Sequence, residues 1–168
     1  MNLFAPLKKI ITERRLGFQM DEIMTGTHRF IEGKGPDGEH PMEYRVTWGH
    51  ENLAHWLNPI GDDFLVNSLR GKVDIGGLVV DADCEGTLEL RYLQEQLIRY
   101  TFRFKDDSGK AYRYVGEKRE LRPWNLHRTH TTCYGQITEV ETGEVVSEGI
   151  VYFRMSTIPQ FLLSFKLV

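Results

Sequence analysis

Glu22 falls in step with Met20, Met24 and Phe30, and His28 shares that face, so in an extended segment all of them point the same way. Lys118 keeps step with Tyr112 and Tyr114 in the same manner, and His130 with Thr132 and Tyr134. Burying a charge is costly unless it is paired. The pattern therefore predicts an internal ion pair involving Glu22 and Lys118, or a polar end of a bound molecule facing them. It also contains a catalytic set for an isomerase or cyclase acting on an apolar substrate, with Glu22 or His130 as general base and Tyr114 or Tyr134 as acid. One extra residue in a strand flips its faces and would leave Glu22 and Lys118 in solvent, so the spacing alone leaves that alternative open.

Other chemical motifs lack the setting they need. Gly33-Lys34-Gly35-Pro36-Asp37-Gly38 matches G-x-G-x-x-G, but a dinucleotide site needs a helix to start there, and this segment joins two strand patterns through a proline. His50-Glu51-Asn52-Leu53-Ala54-His55 resembles H-E-x-x-H with the second histidine one residue late, which turns it about 140° away on a helix. His127 and His130 are three apart, on opposite faces of a strand, so no metal site is expected. No G-x-S-x-G elbow or Walker loop occurs, and neither Cys84 nor Cys133 has a sequence-adjacent base. The two cysteines read as buried thiols. Asp62-Asp63 and Asp106-Asp107 read as loop and turn residues. No cofactor is expected.

The elements that must carry these side chains are almost all strands. Met42, Tyr44, Val46 and Trp48 alternate with Glu43, Arg45 and Thr47, and Ile98, Tyr100, Phe102 and Phe104 alternate with Arg99, Thr101, Arg103 and Lys105. Asp106-Asp107-Ser108-Gly109 and Glu141-Thr142-Gly143-Glu144 sit between alternating runs, as hairpin turns with a left-handed glycine do. About nine strands are predicted, near 18–32, 42–50, 63–75, 77–83, 86–93, 96–105, 110–118, 129–140 and 145–155, with a further strand in the tail from Ile158 to Lys166. A helical turn is expected over 51–57 and a loop holding Trp124 over 121–126. Phe4, Leu7, Ile10 and Ile11 recur at helical spacing, so residues 1–16 carry a short amphipathic helix.

The chain of 168 residues, 40% hydrophobic and 27% charged, suits one domain with one core. Long adjacent hairpins with a continuous apolar face predict a single antiparallel up-and-down β-barrel of about 8–10 strands over 18–166, since closure removes sheet edges. A β-sandwich is the alternative. Such a barrel is near the size that holds one small ligand. His28, Trp48, Tyr100, Phe102, Tyr112, Tyr114, Lys118, Trp124, His130 and Tyr134 are the candidate ligand-binding residues, with Tyr92 and Tyr152 among the further aromatics of the interior. A net charge of −3 argues against non-specific nucleic-acid binding. Lys8, Lys9, Arg14 and Arg15 give the N-terminal helix a basic face, but one short helix holds a membrane only marginally, and capping a barrel mouth suits it better. No apolar run has the length of a signal peptide or membrane span, so a cytoplasmic protein is expected.

The run from Tyr100 to Lys118, with Trp124 and then Thr129-His130-Thr131-Thr132, resembles a β module attached to cholesterol-oxidase-like members of the glucose-methanol-choline flavin oxidoreductases. Asp21 to Gly26, Leu69 to Val73 and Glu148-Gly149-Ile150 extend the resemblance over most of the chain after Phe18. Gly116, Lys118, Trp124, Thr131 and Thr132 match the pattern, whereas Cys133 stands where it has an apolar residue. The resemblance implies the company of apolar, steroid-like or lipid-like chemistry and a partner oxidoreductase. It does not imply oxidase activity, because the chain has no flavin-binding G-x-G-x-x-G in a βαβ setting. In general character the barrel resembles the lipocalins and other calycins, which implies a binding protein for an apolar small molecule; a structural interaction module is a further reading.

Overall fold

The computed structural model describes residues 16–121, 131–154 and 158–168. They form β1 (Phe18–Phe30), β2 (Glu39–His50), α1 (Leu53–Trp56), β3 (Val66–Ile75), β4 (Val79–Arg91), β5 (Leu97–Lys105), β6 (Ala111–Lys118), β7 (Thr132–Glu139), β8 (Val145–Phe153), α2 (Ile158–Leu163) and β9 (Lys166–Leu167). Each of the first seven strands pairs antiparallel with the next, and β8 returns to pair with β1. The result is a closed eight-stranded up-and-down barrel, as the alternation predicts. β1 is shared along its length: β8 pairs with Met24 to Phe30, and β9 pairs with Phe18 and Gln19. Between them the Asp21 backbone N–H donates to Ser164 Oγ at 2.8 Å, so side chain replaces ladder where the two partners part.

Closure has a chemical consequence for the interior. Period-two alternation sends Met24, Tyr44, Leu69, Leu88, Tyr100, Phe102, Tyr114, Ile137 and Val151 inward, each almost completely buried, into one core. Gly109 and Gly143 take positive φ values of 86° and 73° in the two expected hairpin turns. The Asp106 carboxylate accepts from the Ser108 and Lys110 amides and fixes the first of these turns.

Three expectations need correction. Segments 77–83 and 86–93 are one strand, β4, continuous through Cys84 and Glu85. The tail folds as α2 before a two-residue β9, instead of a strand from Ile158 to Lys166. Tyr134 and Tyr152 lie on the outside, 54% and 47% exposed, because Cys133, Gly135 and Ile137 are the inward residues of β7 and Val151 and Phe153 those of β8. The helical turn near residue 53 is present, capped by the Asn52 side chain accepting from the Ala54 and His55 amides. The N-terminal helix and the loop holding Trp124 fall on residues outside those described.

Candidate functional site

At the mouth where β1 begins and β6 ends, four side chains of different strands meet. Glu22 Oε1 accepts from Lys118 Nζ and from the Tyr100 hydroxyl, both at 3.0 Å, and Oε2 accepts from the Trp48 indole N–H at 3.1 Å. The ion pair is largely withdrawn from solvent, with Glu22 5% and Lys118 4% exposed. The inward phase of β1 carries Glu22 to this point and that of β6 carries Lys118; register then closes the set, because Val46 faces Glu22 across β1 and β2 and Ile98 faces Lys118 across β5 and β6. The Lys118 ammonium also lies 5.1 Å from the Tyr100 ring centre and 5.9 Å from that of Phe153, within cation–π range.

The surrounding chemistry follows from burial. Loss of water, and then the Glu22 charge, push the Tyr100 phenol well above its ordinary range. Burial and then the same carboxylate push Tyr92 up to about 12. Both phenols stay protonated at neutral pH, and Tyr100 serves as a donor to Glu22. Trp48, Leu90, Tyr92 and Phe153 pack on the core only in part, so an apolar rim reaches the mouth above the buried polar layer.

Below that layer the barrel is filled. Tyr44 packs edge-on to Phe102 with ring centres 5.3 Å apart, and Phe102 lies 4.8 Å from Tyr114. Gly116 and Gly135 face each other across β6 and β7, and a Cβ on either would come within 2.3 Å of the Tyr114 side chain. The Tyr114 ring thus lies flat over both strands. Its hydroxyl and that of Tyr44 approach Cys133 Sγ at 3.6 and 3.9 Å. Burial holds both thiols up, Cys133 to about 11 and Cys84 to about 12, so neither is a nucleophile at neutral pH.

The sequence-predicted residues therefore divide. Glu22, Trp48, Tyr100 and Lys118 come together at one mouth. Phe102 and Tyr114 form the floor, and Tyr112 lies beyond it, stacked 5.5 Å from Phe104 with its hydroxyl toward Asp106. His28 belongs to the opposite end, its Nδ1 2.6 Å from Ser147 Oγ and its Nε2 2.9 Å from the Gly76 carbonyl. Tyr134 instead lines a groove of about 800 Å³ on the outer face, with Val115 and Gln136. Trp124 and His130 lie outside the described residues, as does His127. The phenol on Glu22 is that of Tyr100, which leaves Tyr114, turned to Cys133, without a carboxylate to work with.

Two further residues at this mouth are not among those that the sequence singles out. Asn67 is wholly buried in β3, and Trp56 in α1 packs against Phe18 with ring centres 5.0 Å apart. Asn67 follows the same phase as Leu69, Val73 and Ile75, the signal that marks Glu22. Trp56 carries no comparable signal.

Among the described residues no three histidines, cysteines or acids are placed to hold a metal ion, and no helix is long and apolar enough to cross a membrane. No protein-family model, curated protein or solved structure matches the chain.

Proposed function

We propose that the barrel binds an apolar small molecule at the mouth formed by Glu22, Trp48, Tyr100 and Lys118. The observation that carries this reading is the buried ion pair itself. A paired charge inside an apolar core is weak as a source of stability, since hydrophobic residues of similar volume commonly serve as well. Placed at a mouth, under a rim of half-buried Trp48, Leu90, Tyr92 and Phe153, it supplies a fixed polar end for a ligand whose body meets the rim. The filled floor keeps that ligand shallow. An eight-stranded antiparallel barrel of lipocalin-like character suits such a role, and the resemblance to modules attached to flavin oxidoreductases supports an accessory that holds an apolar compound for a separate enzyme.

Native mass spectrometry of the purified protein, followed by solvent extraction and titration with the neutral apolar dye N-phenyl-1-naphthylamine, tests the reading. A co-purifying compound, or saturable dye binding lost in a Trp48→Ala variant that stays folded, is expected. A bare polypeptide mass together with no saturable dye uptake would overturn it.

A further inference from the structure

Two buried polar atoms have no hydrogen-bond partner among the described residues: Asn67 Oδ1, an acceptor, and Trp56 Nε1, a donor. A buried polar atom left unserved carries its full desolvation penalty, so both call for a partner. Reversing the Asn67 amide does not cure the deficit. Its Nδ2 donates to the Leu88 carbonyl at 3.1 Å, and reversal would set oxygen against oxygen. The acceptor is therefore the atom left over.

Asn67 lies on the inward phase of β3, and two residues before it the Leu65 backbone N–H donates to the Trp56 carbonyl, so the acceptor lies toward the barrel end that carries α1. Trp56 joins the same end through Phe18, whose ring centre is 5.0 Å from Trp56 and 6.1 Å from Trp48. Lys118 uses one of its three N–H bonds on Glu22, and its ammonium lies 5.1 and 5.9 Å from the ring centres of Tyr100 and Phe153.

The charges are already matched, which decides the ligand's head group. Glu22 neutralises Lys118, and its two oxygens already take donors from Lys118, Tyr100 and Trp48, so a cationic head finds no free carboxylate oxygen and meets the ammonium. An anionic head meets Glu22 and the lone pairs of Asn67 Oδ1. An ether or ester offers acceptors but leaves Asn67 Oδ1 unserved. A hydroxyl answers both orphans, donating to Asn67 Oδ1 and accepting from Trp56 Nε1 or a remaining Lys118 N–H. We infer that the mouth selects neutral alcohols: an apolar body carrying one hydroxyl. This rests on the proposed binding function and adds the chemistry of the head group.

Calorimetric titration at pH 7 with 1-octanol, its isomer heptyl methyl ether, octanoate and octylamine tests the inference with one chain length and four heads. Octanol is expected to bind at least about tenfold more tightly than each of the others, because a site built for a hydroxyl leaves polar groups unpaired with any analogue lacking it. Asn67→Leu, which keeps the branched shape and removes the orphan acceptor, should reduce the preference for octanol over the ether to near unity, and Trp56→Phe should weaken it in part. Equal binding of alcohol and ether, as when ordered water alone serves the two atoms, overturns the inference and leaves apolar binding intact. A preference for octanoate or octylamine overturns it equally. If none of the four binds while the naphthylamine dye does, the alcohol reading fails alone; if the dye fails too and no compound co-purifies, the binding function falls with it.

Discussion

Lys118 Nζ stands 3.0 Å from Glu22 Oε1, tying β6 to β1 through the barrel interior with both side chains almost completely buried. Removing the ammonium alone leaves a carboxylate buried with only the Tyr100 and Trp48 donors. Lys118→Met is therefore expected to destabilise the fold by about 3–5 kcal/mol. Changing both partners removes the stranded charge, and the Glu22→Gln amide oxygen still accepts from Tyr100 and Trp48. The double variant Glu22→Gln with Lys118→Met should recover most of the loss. Equilibrium denaturation of the wild type, both singles and the double gives the coupling directly, and simple additivity of the two singles would refute a pair that works as a unit.

How far this pair is legible in the sequence depends on which strands keep a clean phase. In β1 Met20 and Met24, and in β6 Tyr112 and Tyr114, mark the inward phase strongly enough to survive the inward Gly26 and Gly116, so Glu22 and Lys118 stand out on that face. In β7 the inward positions include Gly135, which contributes nothing to an apolar pattern, while Tyr134 outside it is large. The phase therefore reads backwards. β8 repeats the difficulty, with Gly149 inside and Ile150 and Tyr152 outside. β4 looks interrupted because Asp81, Asp83 and Glu85 crowd its outer face, where Arg45 and Lys72 pair with the two aspartates. Convergence of Trp48, Tyr100 and Lys118 on one carboxylate depends on register and barrel stagger, which periodicity within a single strand does not encode.

His28 gives the barrel a dependence on pH. The Gly76 carbonyl only accepts, so Nε2 carries the proton there, while Nδ1 lies 2.6 Å from Ser147 Oγ, which also lies 3.0 Å from the Arg29 carbonyl. Burial, opposed by the Gly76 hydrogen bond and aided by the charge of His40, holds the His28 pKa below its ordinary 6.5. In the unfolded chain the imidazole takes up its proton at the ordinary value, ahead of the folded state. The stabilisation from the neutral ring is thus complete above pH 6.5 and is lost as pH falls from there toward the folded-state value. Denaturant midpoints, compared between about pH 7.5 and about pH 5.5 on either side of that window, should fall more in the wild type than in a His28→Gln variant. An equal fall in the two proteins would show that another group is responsible.

The Tyr114 ring and the glycine pair beneath it should behave as one packing unit. A Cβ at position 135 would come within 2.3 to 2.5 Å of the ring, and the ring has little room to move, being boxed by Tyr44 and Phe102. Overfilling a packed core in this way typically costs about 1–3 kcal/mol. Gly135→Ala is expected to fall in that range, although alanine by itself suits a strand at least as well as glycine. In a Tyr114→Leu background the ring is gone and the added methyl enters the space it leaves. The penalty of Gly135→Ala should there shrink to a small fraction or change sign, while Tyr114→Leu alone is destabilising through the cavity it opens. Urea denaturation of the four proteins measures the cycle. If Gly135→Ala costs the same in both backgrounds, the glycine is retained for its backbone and not for the ring, and the solid floor assigned to the barrel loses its main support.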